Sequence, residues 1–165
     1  MTVTIEAWPD PNTPEGKTFF AAGKKIGVGF LFYGYNAAIG LLANFERESS
    51  LNPNAIGDRG SAFGLAQRHQ PRLEAIVSAL KLDIRAAVLA KANTIDNEIR
   101  AARWELEHFT FYGRVQIQHA QTPAQSAAEG CMLFERAGFH DAVTQSVMMA
   151  DRWAKKYPTA ESLTS

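Results

Sequence analysis

The feature that most constrains this 165-residue chain is an uncharged stretch of twenty residues, 26–45. A stretch of this length can cross a bilayer or lie buried inside a folded domain. Glycines and asparagines interrupt it, and the charged sequence Glu46-Arg47-Glu48 follows directly. These interruptions favour a pair of short buried helices over a membrane-spanning helix. The sequence therefore predicts a buried helical centre and no integral membrane segment.

The composition is that of one globular domain covering residues 1–165, with a proline-punctuated, extended arm over residues 1–16. Seventeen basic residues balance seventeen acidic ones, so no broad electrostatic surface for nucleic acid is expected. A chain of this length can bury a sufficient core without staples, and the single cysteine, Cys131, cannot form an internal disulfide. The four histidines lack metal-ligand spacing, so we expect no metal and no other cofactor.

Helix-start signals recur along the chain and predict a mostly α-helical fold. Asn36 is a plausible N-cap, Asp83 and Thr94 begin further helices, and Thr122-Pro123 places a proline in a first turn. Glycine, asparagine and aspartate dominate residues 54–64, which predicts a loop or a small hairpin around Asp58-Arg59-Gly60. The predicted helices cover residues 17–32, 36–50, 71–80, 83–91, 94–111, 122–138 and 140–156.

The densest group of polar and glycine residues lies between residues 46 and 72. Glu46 and Glu48 point about 200° apart on a helix, so they cannot face the same cleft. Glu48 shares its face with aliphatic and aromatic residues, whereas we expect Glu46 to lie beside solvent-prone neighbours. Apolar surroundings favour a protonated carboxyl, which a general acid requires. Glu48 is therefore the candidate acid; the alternative is an ion pair, for instance with Arg59 or Arg72.

Four short motifs occur in order within 20 residues, 48–67. They are Glu48-Ser49 at a helix end, Asn52-Pro53, Gly57-Asp58-Arg59-Gly60 and Gly64-Leu65-Ala66-Gln67. This order resembles the phage tail lysozyme family and, more distantly, goose-type lysozymes and soluble lytic transglycosylases. The resemblance implies a lysozyme-like fold with a small loop or hairpin region after the catalytic helix.

The second half of the chain resembles the later helices of the same family more weakly, around Trp104-Glu105-Leu106 and Phe134-Glu135-Arg136. We expect those positions to determine the fold. The chain departs from the family at Gln67-Arg68, where relatives often have Gln-Trp, and we expect this change to alter a substrate-binding surface. It departs again where relatives often have Tyr-Glu-Arg-Pro and this chain has Phe-Glu-Arg-Ala, which we interpret as a packing variation.

The resemblance implies a peptidoglycan-degrading glycosidase that cleaves the β-1,4 bond between N-acetylmuramic acid and N-acetylglucosamine, with Glu48 as general acid. Asp58 either positions the attacking water of an inverting hydrolase or only shapes the turn of the hairpin. Without a water-positioning carboxylate, the muramyl 6-hydroxyl attacks instead and the enzyme is a lytic transglycosylase. A non-catalytic virion module with a lysozyme fold is the remaining alternative.

Five further residues are predicted to bind substrate. A polar side chain suits an N-acetyl or hydroxyl group, a glycine leaves room for the strand or the sugar, and an aromatic ring can stack on a sugar. The Ser49 and Gln67 side chains could equally pin the loop to the helix. Candidate sugar-stacking rings also include Tyr33, Tyr35 and Phe63, although an aromatic at helical spacing, Trp104 included, packs more often in the core. The five are Ser49, Gly64, Gln67, His69 and Trp104.

The expected partners are the glycan strands of peptidoglycan and, through the family resemblance, phage tail proteins. The first 25 residues lack the order of a secretory signal. We therefore expect the protein in the tail of a virion, or in the host cytoplasm before its release to the periplasm and cell wall.

Overall fold

The computed structural model describes residues 2–136 and 140–165 and is mostly helical, as predicted. Single 3₁₀ turns connect several elements, at Leu31–Tyr33, Asp58–Gly60 and Thr110–Tyr112. In chain order the elements are α1 (Pro14–Phe30), α2 (Tyr35–Ser49), β1 (Ile56–Gly57), β2 (Ala62–Phe63), α3 (Gln70–Leu80), α4 (Ile84–Leu89), α5 (Ile95–His108), α6 (Arg114–His119), α7 (Pro123–Glu129), a π-helical turn (Gly130–Phe134), α8 (His140–Lys156) and α9 (Ala160–Thr164).

Helix α2 forms the centre of the larger core. Residues 37–46 are buried, and the helix packs against α1, α7 and α8. Gly40 permits the contact with α7, because a Cβ atom there would lie 2.8 Å from the backbone nitrogen of Ala127. The uncharged stretch is thus the end of α1 and most of α2, the buried pair of helices that was predicted. No helix in the described part of the chain has the length and hydropathy needed to cross a membrane.

A smaller core lies between the hairpin and helices α3, α4 and α5. Helix α5 contributes to both cores, since Ala101 packs in the smaller core and Ala102 in the larger one. The two cores therefore meet along α5. The smaller core consists of Phe63, Leu73, Ile76, Ile84, Val88 and Ala101.

The hairpin predicted after the central helix is present. Strands β1 and β2 are antiparallel, with Ile56 opposite Phe63 and Gly57 opposite Ala62. Its turn has positive φ at Asp58 (47°), Arg59 and Gly60. Of the two alternatives predicted for residues 54–64, a loop or a small hairpin, the structure has the hairpin.

Side-chain caps decide where several helices begin. Thr13 accepts a hydrogen bond from the Gly16 amide at 3.1 Å, so α1 begins at Pro14 rather than at residue 17, and the extended arm ends before it. The predicted cap Asn36 is wrong: Gly34 precedes α2, and the Asn36 amide donates to the Ala120 carbonyl. The caps Asp83, Thr94 and Thr122 are confirmed.

Several helix ends differ from the predictions. The helix predicted over 94–111 ends at His108, and the helix predicted over 122–138 becomes π-helical from Gly130. The predicted end at Gly138 lies outside the described residues. Helices α6 and α9 were not predicted, because five or six residues are too few to show a helical period.

Candidate functional site

Glu48 lies at the C-terminal end of α2, just before the chain turns. The turn is sharp because Ser50 and Leu51 both adopt the left-handed conformation, with φ of 52° and 61°. The Glu48 side chain is 20% exposed, and its carboxylate pairs with the Arg47 guanidinium. The helix pattern predicted apolar surroundings for Glu48, but these surroundings also include an arginine. This arginine is the neighbouring residue in the chain rather than Arg59 or Arg72.

A series of side-chain hydrogen bonds holds Arg47 in place. Its Nε donates to the Ser146 hydroxyl on α8 at 3.1 Å, and that hydroxyl donates to Asn44 Oδ1 at 2.9 Å. The Asn44 amide donates in turn to the Ala127 carbonyl at 3.0 Å. Because Ser146 and Asn44 are fully buried, these hydrogen bonds fix the position of the arginine that pairs with Glu48.

Glu135 is a second carboxyl near Glu48, and the sequence analysis had assigned its motif only to the fold. It follows the π-helical turn, and its side chain is 1% exposed. Its Oε2 lies 3.8 Å from Arg72 Nη1, while its Oε1 has no hydrogen-bond partner among the described residues. Burial raises the pKa of Glu135 to about 8; Arg72 opposes this rise and the charge of Glu48 adds to it. Glu135 is therefore protonated at neutral pH.

Arg68 lies in the interior, where it joins the hairpin to α5. Its side chain is fully buried and pairs with Glu98 and Glu105, and Arg72 also pairs with Glu105, at 2.7 Å between Nε and Oε2. The expectation that Arg68 alters a substrate-binding surface is therefore wrong. A cation at this position needs buried carboxylates as partners, and α5 provides two of them.

The structure explains Gly64 through Glu98. Gly64 has a φ of 81°, and a Cβ atom there would lie 2.0 Å from Glu98 Oε1. The same oxygen accepts a hydrogen bond from the Leu65 amide at 2.9 Å. Gly64 thus lets the backbone approach a buried carboxylate, while its predicted role in sugar binding stays a prediction.

Ser49 and Gln67 form hydrogen bonds within their own segments. The Ser49 hydroxyl donates to the Phe45 carbonyl at 3.0 Å. The Gln67 amide donates to the Gly64 carbonyl at 2.9 Å. Both side chains therefore stabilise the helix end and the hairpin in this structure, and their contacts with substrate stay predictions.

Asp58 and His69 lie together at the surface. His69 Nε2 is 2.9 Å from Asp58 Oδ2, and these side chains are 54% and 67% exposed, respectively. His69 also lines a cavity of about 740 Å³ formed with α3 and the turn of the hairpin. Because both side chains are exposed, the pair is open to a ligand from solvent.

Trp104 lies elsewhere, at a cavity of about 360 Å³ along α5, where its ring stacks on His108 with 5.1 Å between centroids. Glu48 is not among the described residues that line either cavity. Tyr33 and Phe63 are 3% and 4% exposed, so both belong to the core rather than to a sugar-stacking surface.

The expectation that Glu46 lies beside solvent is wrong. Its carboxylate is buried and accepts hydrogen bonds from Trp8 at 3.0 Å and Trp153 at 2.6 Å, and it pairs with Arg152. Burial raises the pKa of Glu46, and these partners oppose the rise. Glu46 and Glu48 do lie in different surroundings, as the helix geometry predicted. The buried partners were missed because they come from the distant N-terminal arm and from α8.

Comparison with known proteins identifies one family. The sequence model of one family, described as phage tail lysozyme, matches residues 32–157. This match includes α2, the hairpin, the buried ion pairs and Glu135. No curated protein and no solved structure matches the chain. Since the family match covers more than half of the sequence, the chain belongs to the phage tail lysozyme family.

Proposed function

We propose that this protein cleaves the β-1,4 bond between N-acetylmuramic acid and N-acetylglucosamine in peptidoglycan, with Glu48 as the general acid. The observation that carries the proposal is the position of Glu48. It is a partly buried carboxyl at the end of the central helix of a phage tail lysozyme family member, restrained by the anchored Arg47. A restrained carboxyl can meet a bound glycosidic oxygen in a constant geometry.

The proposed step begins with protonated Glu48. Its proton moves to the bridging oxygen while the bond between that oxygen and the anomeric carbon breaks. In hydrolysis, the oxygen of a water molecule then bonds to the anomeric carbon, and the water gives up a proton to a base. In transglycosylation, the oxygen of the muramyl 6-hydroxyl bonds to the anomeric carbon instead, its proton passes to the Glu48 carboxylate, and a 1,6-anhydro product results.

Asp58 is the proposed base for hydrolysis, and His69 is proposed to orient it. Their 2.9 Å contact and their exposure support this assignment, because an accessible, oriented carboxylate suits a positioned water. If Asp58 only shapes the hairpin turn, transglycosylation is the second candidate reaction. Ser49, Gly64, Gln67 and Trp104 are proposed to contact the glycan, and tail proteins are proposed partners in the virion.

The test compares three proteins on purified sacculi: wild type, Glu48→Gln and Glu161→Gln. Glu161 is an exposed glutamate on α9, away from both cavities, and serves as the control. We expect wild type and Glu161→Gln to release muropeptides at equal rates, and Glu48→Gln to be slower by about 100- to 10,000-fold. Release that survives in Glu48→Gln contradicts the assignment of the acid.

Mass spectrometry of the products separates the two reactions. Reducing ends indicate hydrolysis and support Asp58 as the base. Anhydro-muramyl ends indicate transglycosylation and limit Asp58 to a role in the turn. A wild-type protein that binds sacculi without releasing fragments supports a non-catalytic virion module instead.

A further inference from the structure

A row of aromatic rings runs from the end of α2 to the surface. The ring centroids of Phe45 and Phe134 are 6.1 Å apart, those of Phe134 and Tyr112 are 5.4 Å apart, and those of Tyr112 and Phe111 are 4.6 Å apart. The first three rings are buried, whereas Phe111 is 54% exposed. The row therefore begins in the larger core and ends in solvent.

The inner end of this row lies beside the candidate acid. Phe45 precedes Glu48 by three residues, so the two side chains share a face of α2. At the next ring, Phe134 is followed directly by the buried Glu135, whose carboxyl interacts electrostatically with Glu48. The Arg72 guanidinium lies 4.9 Å from the centroid of Phe134. Packed side chains thus connect the surface position of Phe111 to the helix end that carries Glu48.

The chemistry around Phe111 suits a sugar that carries acidic groups. An exposed aromatic ring can pack against the apolar C–H face of a pyranose, which removes both surfaces from water. The Arg136 guanidinium lies 5.8 Å from the centroid of the Phe111 ring. A cation beside the ring matches the carboxylates of the stem peptides and of the lactyl groups on muramic acid units that carry no peptide.

We propose that Phe111 is a stacking residue for a sugar ring of the glycan strand, at a position away from the bond that is cleaved. This inference rests on the proposed function, because it takes peptidoglycan as the substrate. It assigns substrate binding to a residue of the 3₁₀ turn between α5 and α6. It leaves the chemical step to Glu48.

Leu89 provides the control. It is an exposed apolar side chain, at 58% exposure, at the end of α4, and that helix packs on the smaller core rather than on the aromatic row. Phe32 is also exposed, but it does not suit as a control, because ring contacts through Tyr33 and Phe30 connect it to Phe45 as well.

The experiment measures binding of a tetrasaccharide of alternating N-acetylglucosamine and N-acetylmuramic acid by calorimetry. All variants carry Glu48→Gln, so the probe is not cleaved. We expect Phe111→Ala to weaken binding about tenfold, Phe111→Trp to preserve it, and Leu89→Ala to leave it within about twofold. Thermal unfolding of each variant verifies that it is folded.

The outcomes separate this inference from the proposed function. Equal affinity of the Phe111→Ala variant and its Glu48→Gln parent overturns the stacking site, even when wild type lyses sacculi. Equal weakening by Leu89→Ala, or no binding by the parent, also overturns it. If binding depends on Phe111 but wild type releases no fragments, the stacking site stands and the catalytic proposal fails.

Discussion

The carboxyl of Glu135 shows how strongly the folded state can alter a single glutamate. In an unfolded chain a glutamate loses its proton near pH ~4.3, whereas burial raises the pKa of Glu135 to about 8. Between these values the folded protein retains a proton that the unfolded chain has lost. The free energy of unfolding therefore falls as pH rises, by up to about 1.4 kcal/mol per pH unit from this group.

We predict that Glu135→Gln removes this decrease in the free energy of unfolding with rising pH, because glutamine does not ionise in this range. Relative to wild type, the variant should gain about 2 to 4 kcal/mol of stability between pH 5 and pH 8. Urea unfolding at the two pH values measures the difference. Glu74→Gln, at an exposed position, should show no such gain, and a pH-independent difference for Glu135→Gln would mean that Glu135 ionises normally.

The sequence correctly predicted that Glu46 and Glu48 lie in different surroundings, but it did not predict which residues form those surroundings. Helical geometry alone predicts that residues two positions apart point to different sides. It does not predict that Trp8 and Trp153 bury Glu46, or that Ser146 holds the arginine beside Glu48. Such partners are distant in sequence, and only chain folding brings them together.

At the scale of elements, the hairpin depends on one close contact between backbone and carboxylate. Gly64 and Gly60 both have positive φ, of 81° and 96°. A Cβ atom at Gly64 would lie 2.0 Å from Glu98 Oε1, whereas a Cβ atom at Gly60 would have nothing within 4 Å. Substitution of these two glycines therefore separates the free-energy cost of backbone strain from the cost of steric overlap.

We predict that Gly64→Ala lowers the free energy of unfolding by at least about 3 kcal/mol, since it combines strain with overlap at a buried ion pair. Gly60→Ala should cost only about 1 kcal/mol, from strain alone. Chemical denaturation of both variants measures these costs. Equal costs would show that the contact with Glu98 does not contribute to the cost. Room for the bound sugar would then be the remaining reason for glycine at position 64.

The predicted elements were most accurate where a local signal was strong. Asp83, Thr94 and Thr122 cap helices as predicted, because a cap is a contact within one turn. The helix after Thr122 becomes π-helical from Gly130, where the chain meets Asn44 of α2 and Ile117 of α6. Contacts with other elements affect such a transition, and helix propensity alone does not report them.

At the scale of the whole molecule, the N-terminal arm packs against the back of the central helix. Trp8 donates to Glu46, its ring lies 4.6 Å from Trp153 between centroids, and Arg152 lies over it at 4.4 Å. The arm lies outside residues 32–157, to which the family model extends. Residues outside the matched region thus stabilise the helix that carries the candidate acid.

We predict that Trp8 and Glu46 are energetically coupled. The double-mutant cycle of Trp8→Phe and Glu46→Leu should give a coupling free energy of about 1 to 2 kcal/mol, because the first change removes the donor and the second removes the acceptor of one partly buried hydrogen bond. Urea unfolding of the four proteins measures it. Trp8→Phe and Glu107→Gln, which share no contact of this kind, should be additive within about 0.5 kcal/mol; additivity of the first pair would show that the arm does not support α2.

The amino-acid sequence by itself determined the mostly helical fold, the buried central helix, the hairpin and the order of motifs around Glu48. Helical periodicity, caps and turns are properties of neighbouring residues, so the sequence reports them directly. Only the tertiary structure decided that Arg68 is buried between Glu98 and Glu105, that Glu135 lies near Glu48, and that Phe111 ends an aromatic row at the surface. Burial and ion pairing depend on segments that are far apart in the chain, and their free energies are defined only after those segments have packed.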